Sequence, residues 1–445
     1  MPAPRRRADL ARSAFLALTT ILALLHLGCA TVPATAPRSE LRIADEDLDR
    51  DPRQVSAAEA LLDLERSVTI FEEAYAGLDG VPRTPAPSAL SAARARIRAE
   101  ARWEPAELAR LLREVFWAPD GHLAFGYGGR APLRLPAAPA MQRVSTLGAP
   151  RPAQAVSLER RGEVPVLAIR TFDSAAAEAL EGLPAIAAEL RREPAFVVDL
   201  RGNGGGNYRY AERFLLALTN ETVRRLDERE VLSAAAAEGR ANSARRRLRR
   251  GDVPEGAAPR FVEHIAALTA LAADLRARGA GREDVVTPGG TARGTAPGPL
   301  RARAVFLVDG GCASACEMLL ALARQLPAVT VAGQATRGGM AVGEVALFRL
   351  PRSGILVSLG TRAFRDPLGE FEETRGFAPD VVIEGPDPVA EAAVLARGGF
   401  DLAGEPRILP LASHDPSEII PTRSPGCARG PREPFLPCGG APLPR

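Results

Sequence analysis

From Val164 onward, short apolar runs alternate with longer segments of helical spacing, and this alternation limits the possible fold more than any other feature of the chain. Val166-Leu167-Ala168-Ile169 predicts a strand, Ser174 to Arg192 a helix, and Phe196-Val197-Val198 a second, buried strand. A glycine loop and a helix from Tyr208 to Leu218 follow. Val305-Phe306-Leu307-Val308 predicts a third strand running straight into a helix over Ala315 to Gln325, and Val329-Thr330-Val331 a fourth. Val345 to Leu350 and Ile355 to Leu359 flank Arg352-Ser353-Gly354 as a hairpin. Strands alternating with helices predict an α/β core.

With 445 residues there is room for two domains, or one large domain with an insertion. Residues 56–130 carry apolar stripes at helical spacing, such as Leu61, Leu64, Val68, Phe71 and Tyr75, and predict an N-terminal helical domain. Residues 131–163 are rich in proline and alanine and read as a connector, and 164–396 as the core. Within that core, 220–300 is an alanine- and arginine-rich insertion, expected to be mostly helical, and 397–445 is a tail. The run Arg245 to Arg250 admits two readings, contact with acidic lipid or cell-wall polymer, or simply a solvated helix face.

The N-terminus predicts an address. Arg5, Arg6 and Arg7 precede an apolar stretch, Ala14 to Leu27, that is short for a membrane span. It ends in Leu27-Gly28-Cys29, which resembles a bacterial lipoprotein signal with Cys29 as the acylated mature N-terminus, although His26 stands where a leucine is usual. Residues 1–29 are then signal and 30–55 a tether. The expectation is an exported envelope protein, held by its lipid anchor at the periplasmic side of the outer membrane. Export permits disulfides. Cys427 and Cys438 bracket a Pro/Gly-rich tail and are a plausible local clamp, which leaves Cys312 and Cys316 to pair or to stay as small buried residues. No histidine lies near either pair, so no metal site is expected.

Composition excludes more than it proposes. A formal charge of +3 over the whole chain gives no general reason to expect nucleic acid as a partner. All 57 basic residues are arginine. Any mechanism needing a lysine amine is therefore closed to this chain, a nucleotide P-loop included. The turn Asp309-Gly310-Gly311-Cys312-Ala313-Ser314-Ala315-Cys316-Glu317 places a serine where a buried strand gives way to a helix. First-turn amides would stabilise an oxyanion beside that hydroxyl. Serine is equally a good helix N-cap. The loop Asp199-Leu200-Arg201-Gly202-Asn203-Gly204-Gly205-Gly206, also following a strand, lets backbone amides approach a ligand closely.

Taken together, Asp199–Gly206, Ala313–Glu317, Gly333–Gly339 and Gly376-Phe377-Ala378-Pro379-Asp380 occur in an order and spacing that closely resemble the serine peptidases of the tail-specific (C-terminal-processing) and tricorn-core type. The resemblance spans roughly Val164 to Leu395. It implies a crotonase-like ββα core, Ser314 as nucleophile, and an oxyanion hole from Ala315 N–H and an amide of the Gly205-Gly206 pair. It also implies a peptide or protein substrate and no cofactor. Asp199, Arg201 and Asp380 read as support, pairing to hold the glycine loop and the final strand.

Two departures stand out. The family's catalytic lysine falls at Gly339, and too little chain lies between His122 and Val164 for a PDZ module. Serine still needs a base. Of His26, His122, His264 and His414, only His122, in Asp120-Gly121-His122, resembles the element that serves as base in lysine-free branches. Glu373 matches the acid that orients such a base in the tricorn-type arrangement, with Asp120 and Glu372 as alternatives, while His264 and His414 read as surface residues. A family member that binds peptide or envelope ligands without cleaving them, and a purely structural lipoprotein, are the competing functions.

Overall fold

The computed structural model describes residues 41–126 and 154–398. A six-stranded sheet carries the strands in the order Val381–Val382, Val329–Gly333, Arg303–Val308, Ala195–Asp199, Val164–Ile169 and Val156–Arg161. The first five are mutually parallel, and the last pairs antiparallel with its neighbour. All five residues of Ala195–Asp199 are buried, as a central parallel strand covered on both faces requires. Side chains alternate between two cores. Phe196, Val198, Phe306 and Val308 face the helices Leu183–Leu190, Tyr208–Leu218 and Ala315–Ala323, whereas Val197, Val305 and Leu307 face the helix Pro388–Ala396. The α/β class expected from the alternating pattern is thus present. The helix expected over Ser174 to Arg192 is broken into Ala177–Glu181 and Leu183–Leu190, with Gly182 and Pro184 between and just inside them.

A second, antiparallel sheet runs Val342–Arg349, Leu356–Arg365, Asp227–Leu232 and Glu283–Thr287. The segment 220–300, expected as mostly helical, does hold the helices Ala234–Arg249 and Ala258–Ala277, but it also supplies two strands to this sheet and the pair Thr222–Arg224/Thr291–Arg293. Its strand Asp227-Glu228-Arg229-Glu230 hides its nature because the same-face carboxylates Glu228 and Glu230 both pair with Arg362 across the sheet rather than burying apolar groups.

The front helices Ala57–Ala74, Pro87–Ala99 and Pro105–Val115 do not have a core of their own. Leu64, Ile70, Phe71, Phe116 and Phe125 are buried with Phe348, Val357 and Leu359 of the second sheet. A Ser56/Glu59 capping box starts the first helix. The strand Ala124–Gly126 joins the second sheet beside Leu356–Ser358, and this pairing carries the front of the chain to the rear. Among the described residues no helix is long and apolar enough to cross a membrane.

Candidate active site

Parallel pairing assembles the site. Strands Ala195–Asp199 and Arg303–Val308 are neighbours with Asp199 opposite Leu307, so the glycine loop and the serine turn leave the sheet side by side at its carboxyl edge. Asp309 Oδ1 then accepts from Gly202 N–H at 2.9 Å and Gly311 N–H at 2.8 Å, and Ala313 N–H donates to Asn203 O at 3.0 Å. Every residue from 304 to 323 is buried except Ser314. Ser314 has φ 55° and ψ −120° and directly precedes the helix Ala315–Ala323. For a residue other than glycine, that backbone costs about 1–3 kcal/mol and persists only where neighbours over-determine it. The disulfide Cys312–Cys316 is one such constraint, and it decides between the two expectations for these cysteines.

The glycine loop presses against this turn. A Cβ on Gly205 (φ +93°) would stand 2.6 Å from Ala313 O and 2.8 Å from Ser314 Cβ, and one on Gly206 (φ +138°) 2.2 Å from the Phe172 and Asp173 backbone, so both positions demand glycine. Their amides differ. Gly205 N–H donates to Asn203 Oδ1 at 2.9 Å, whereas Gly206 N–H and Ala315 N–H have no acceptor among the described residues. Beneath the loop, Asp199 accepts from Arg201 Nε at 2.9 Å and Nη2 at 2.8 Å, and from Arg170 Nη2 at 2.5 Å, and these guanidinium partners outweigh burial to hold its pKa below the usual carboxylate range. Asp380 serves the final strand separately: it accepts from Val331 N–H at 2.8 Å and pairs with Arg324 at 3.3 Å.

Glu317 is the residue that sequence reasoning left without a role. Its carboxylate, fully buried one turn into the helix, accepts from Ser314 N–H at 3.0 Å, Thr336 Oγ1 at 2.6 Å, Gly338 N–H at 2.6 Å and Gly339 N–H at 2.9 Å. Burial nonetheless raises its pKa. The Ser-x-x-Glu spacing of a capping box was the available signal. At Gly339, where the family resemblance implies lysine, the space a Cβ would enter is open.

His122 arrives on the arm that ends in the strand Ala124–Gly126. Its carbonyl accepts from Ser358 Oγ at 2.9 Å, and its N–H donates to Asp120 Oδ1 at 2.7 Å. The imidazole Nδ1 stands 3.6 Å from the same oxygen, long for a hydrogen bond, and Asp120 is wholly buried. Burial pulls the His122 pKa down, but Asp120, Glu373 and Glu317 together outweigh it and hold the pKa above the ordinary imidazole value. Glu373 accepts from Ala341 N–H at 2.8 Å and Gly121 N–H at 3.4 Å, and burial pushes its pKa up to about 8, Asp120 and Glu317 adding to the rise. Of the three acids considered, Asp120 lies closest to the ring, Glu373 grips the backbone one residue away, and exposed Glu372 pairs with Arg375 at 3.0 Å. Tyr75, buried next to Asp120, has its phenol pKa raised by burial and that carboxylate.

The structure therefore brings Ser314, Ala315, Gly205, Gly206 and Glu317 into one cluster of loops, and Glu373 joins that cluster, at Ala341, to Gly121 beside His122. His264 is exposed on the helix Ala258–Ala277. Cys29, His26, His414, Cys427 and Cys438 lie outside the described residues. Among the described residues no cluster suits a metal ion. The Arg245 to Arg250 run is engaged within the molecule, with Arg245 at Asp45, Arg246, Arg249 and Arg250 at Asp49, and Arg247 at Asp173.

Residues 163–383 match the family described as peptidase family S41. No curated protein matches the chain. A putative peptidase from Parabacteroides merdae is similar over 77% of this chain and 97% of its own, at 17% identity and a TM-score of 0.45. Mature CPAF complexed with lactacystin is similar over 77% of this chain and 97% of its own, at 13% identity and a TM-score of 0.49. The photosystem II D1 C-terminal processing protease aligns over 54% of this chain and 52% of its own, at 17% identity and a TM-score of 0.31. The stretch 163–383, just under half of the chain, is thus similar to peptidase family S41, and the chain is a peptidase.

Proposed function

We propose that this peptidase is an exported, lipid-anchored endopeptidase that works through Ser314 and His122. His122 takes the Ser314 hydroxyl proton as Oγ bonds to the peptide carbonyl carbon. The resulting oxyanion is met by Ala315 N–H and Gly206 N–H, which have no acceptor among the described residues. The imidazolium returns its proton to the departing amine as the C–N bond breaks. Water, deprotonated by His122, then clears the acyl-enzyme and restores the hydroxyl. Asp120 orients the imidazole and stabilises its cation.

The supporting observation is that Ser314 alone breaks a fully buried run of twenty residues, at a strained turn whose N–H is held by Glu317, which also holds Gly338 and Gly339 N–H, while Glu373 joins the same loop at Ala341 to Gly121 beside His122. Ser314→Ala should remove cleavage of fluorescent casein and labelling by a fluorophosphonate while leaving the circular dichroism spectrum unchanged. Equal turnover in that variant, or no labelling of the wild-type protein, would overturn the reading. For the anchor, acylation of Cys29 is the expectation, and Cys29→Ala should release the protein from the membrane fraction.

A further inference from the structure

The serine turn is enclosed by a covalent ring. Cys312 and Cys316 are bonded to each other, both are fully buried, and only Ala313, Ser314 and Ala315 lie between them. Cys312 belongs to the turn that leaves the strand Arg303–Val308, while Cys316 is the second residue of the helix Ala315–Ala323. The bond thus ties strand exit to helix entry across the one residue there with positive φ other than glycine. Inside the ring also lies Ala315, whose N–H has no acceptor among the described residues. Hydrogen bonds fix the rim: Cys312 O accepts from Arg337 N–H at 2.9 Å, and Cys316 N–H donates to Ala313 O at 3.1 Å.

So short a ring removes little freedom from the unfolded chain, since the stabilisation a crosslink gives grows with loop length. The strand and helix on either side are already held by the buried core around Phe306, Leu319 and Leu320. What the ring does restrict is local: a serine at φ 55° has more favourable backbone states available, and moving to one would displace its hydroxyl and turn the Ala315 amide.

We propose that the Cys312–Cys316 disulfide is a positioning element of the active site, holding Ser314 Oγ and Ala315 N–H in attack geometry, so that the peptidase is fully active only when oxidised. This rests on Ser314 being the nucleophile. An exported protein meets the oxidising conditions that keep such a bond. Reduction by a dithiol transfers two electrons and two protons to the disulfide, leaving two thiols here and a cyclic disulfide on the reductant.

The test uses the full-length protein in detergent. The rate of fluorophosphonate labelling, and kcat and KM on fluorescent casein, are measured before and after dithiothreitol, with thiols counted by mass. Reduction should lower the labelling rate and kcat by roughly ten- to a hundredfold, the range expected when a reacting group is misplaced by about an ångström. KM should stay within about twofold, the unfolding midpoint should barely move, and reoxidation should restore the rate. Cys312→Ala/Cys316→Ala and Cys312→Ser/Cys316→Ser should match the reduced enzyme and ignore dithiothreitol. Labelling of the reduced protein or either double variant within about twofold of the oxidised wild type would refute the proposal, as would free thiols at both positions in protein from an exporting host. Failure of the oxidised wild type to label at all is a different result, since it removes the nucleophile itself.

Discussion

Ser314 and His122 are set up by opposite means. In the proposed mechanism the serine would owe its reactivity to position: a strained backbone, a buried surround and the Gly206 and Ala315 amides, which have no acceptor among the described residues. The histidine is tuned by charge, because carboxylates outweigh burial and raise its pKa. A base must be neutral to accept a proton, so kcat/KM should climb with pH through a value above the ordinary imidazole pKa of about 6.5. Asp120→Asn removes one of the charges that stabilise the imidazolium. The acid limb of the kcat/KM profile should then move to lower pH, while kcat falls by roughly one to two orders of magnitude because the ring loses its orienting acid. An unmoved limb in a folded variant would show that Asp120 does not set the base.

The helix Ala315–Ala323 depends on one side chain for its connection to the loop 334–341. Glu317 collects three backbone N–H groups and a hydroxyl, so Glu317→Ala strands four donors in a dry setting. Each unsatisfied buried donor costs about 1–3 kcal/mol. The expected loss is therefore at least about 3 kcal/mol in denaturant unfolding, together with near-complete loss of activity as Ser314 N–H comes free. A loss below about 1 kcal/mol would mean that water replaces the carboxylate and that Glu317 is not the fastener. Elements also differ in how plainly the sequence announces them. The apolar strands at 195–199 and 303–308 were legible because both faces are buried, whereas Asp227–Leu232 was not, since its pairing rests on Arg362 more than a hundred residues away.

In the whole molecule, the decisive join is between the front helices and the second sheet. Phe71, Phe116 and Phe125 form a buried aromatic group, with Phe71 and Phe116 centroids 4.5 Å apart and Phe116 and Phe125 5.8 Å apart. Phe125 sits in the strand that follows His122 and pairs Val357. Phe125→Ala opens a cavity there and should cost about 3–5 kcal/mol. Since the arm that carries His122 would loosen with it, activity should fall more steeply than stability alone explains, measured at a temperature where the variant remains folded. Full activity in the folded variant would show that the arm is held by its backbone pairing and not by the aromatic group. The Arg245 to Arg250 run belongs to the same scale. Its pairs with Asp45 and Asp49 turn a surface that read as solvated or partner-facing into a seat for the segment ahead of the first helix, and Arg247 ties it to Asp173 after the strand Val164–Ile169.

By itself the sequence determined the α/β core and the serine that opens a helix, because periodicity and local backbone chemistry are written residue by residue. It also determined that no lysine could be the base. Only the tertiary structure decided that Cys312 pairs with Cys316, that Asp120 lies nearest the imidazole, and that Glu317 joins Ser314 to the loop at 338–339. The last of these joins residues some twenty positions apart, and even the close-spaced pairs depend on side-chain orientation, burial and distance, quantities that a linear string does not carry.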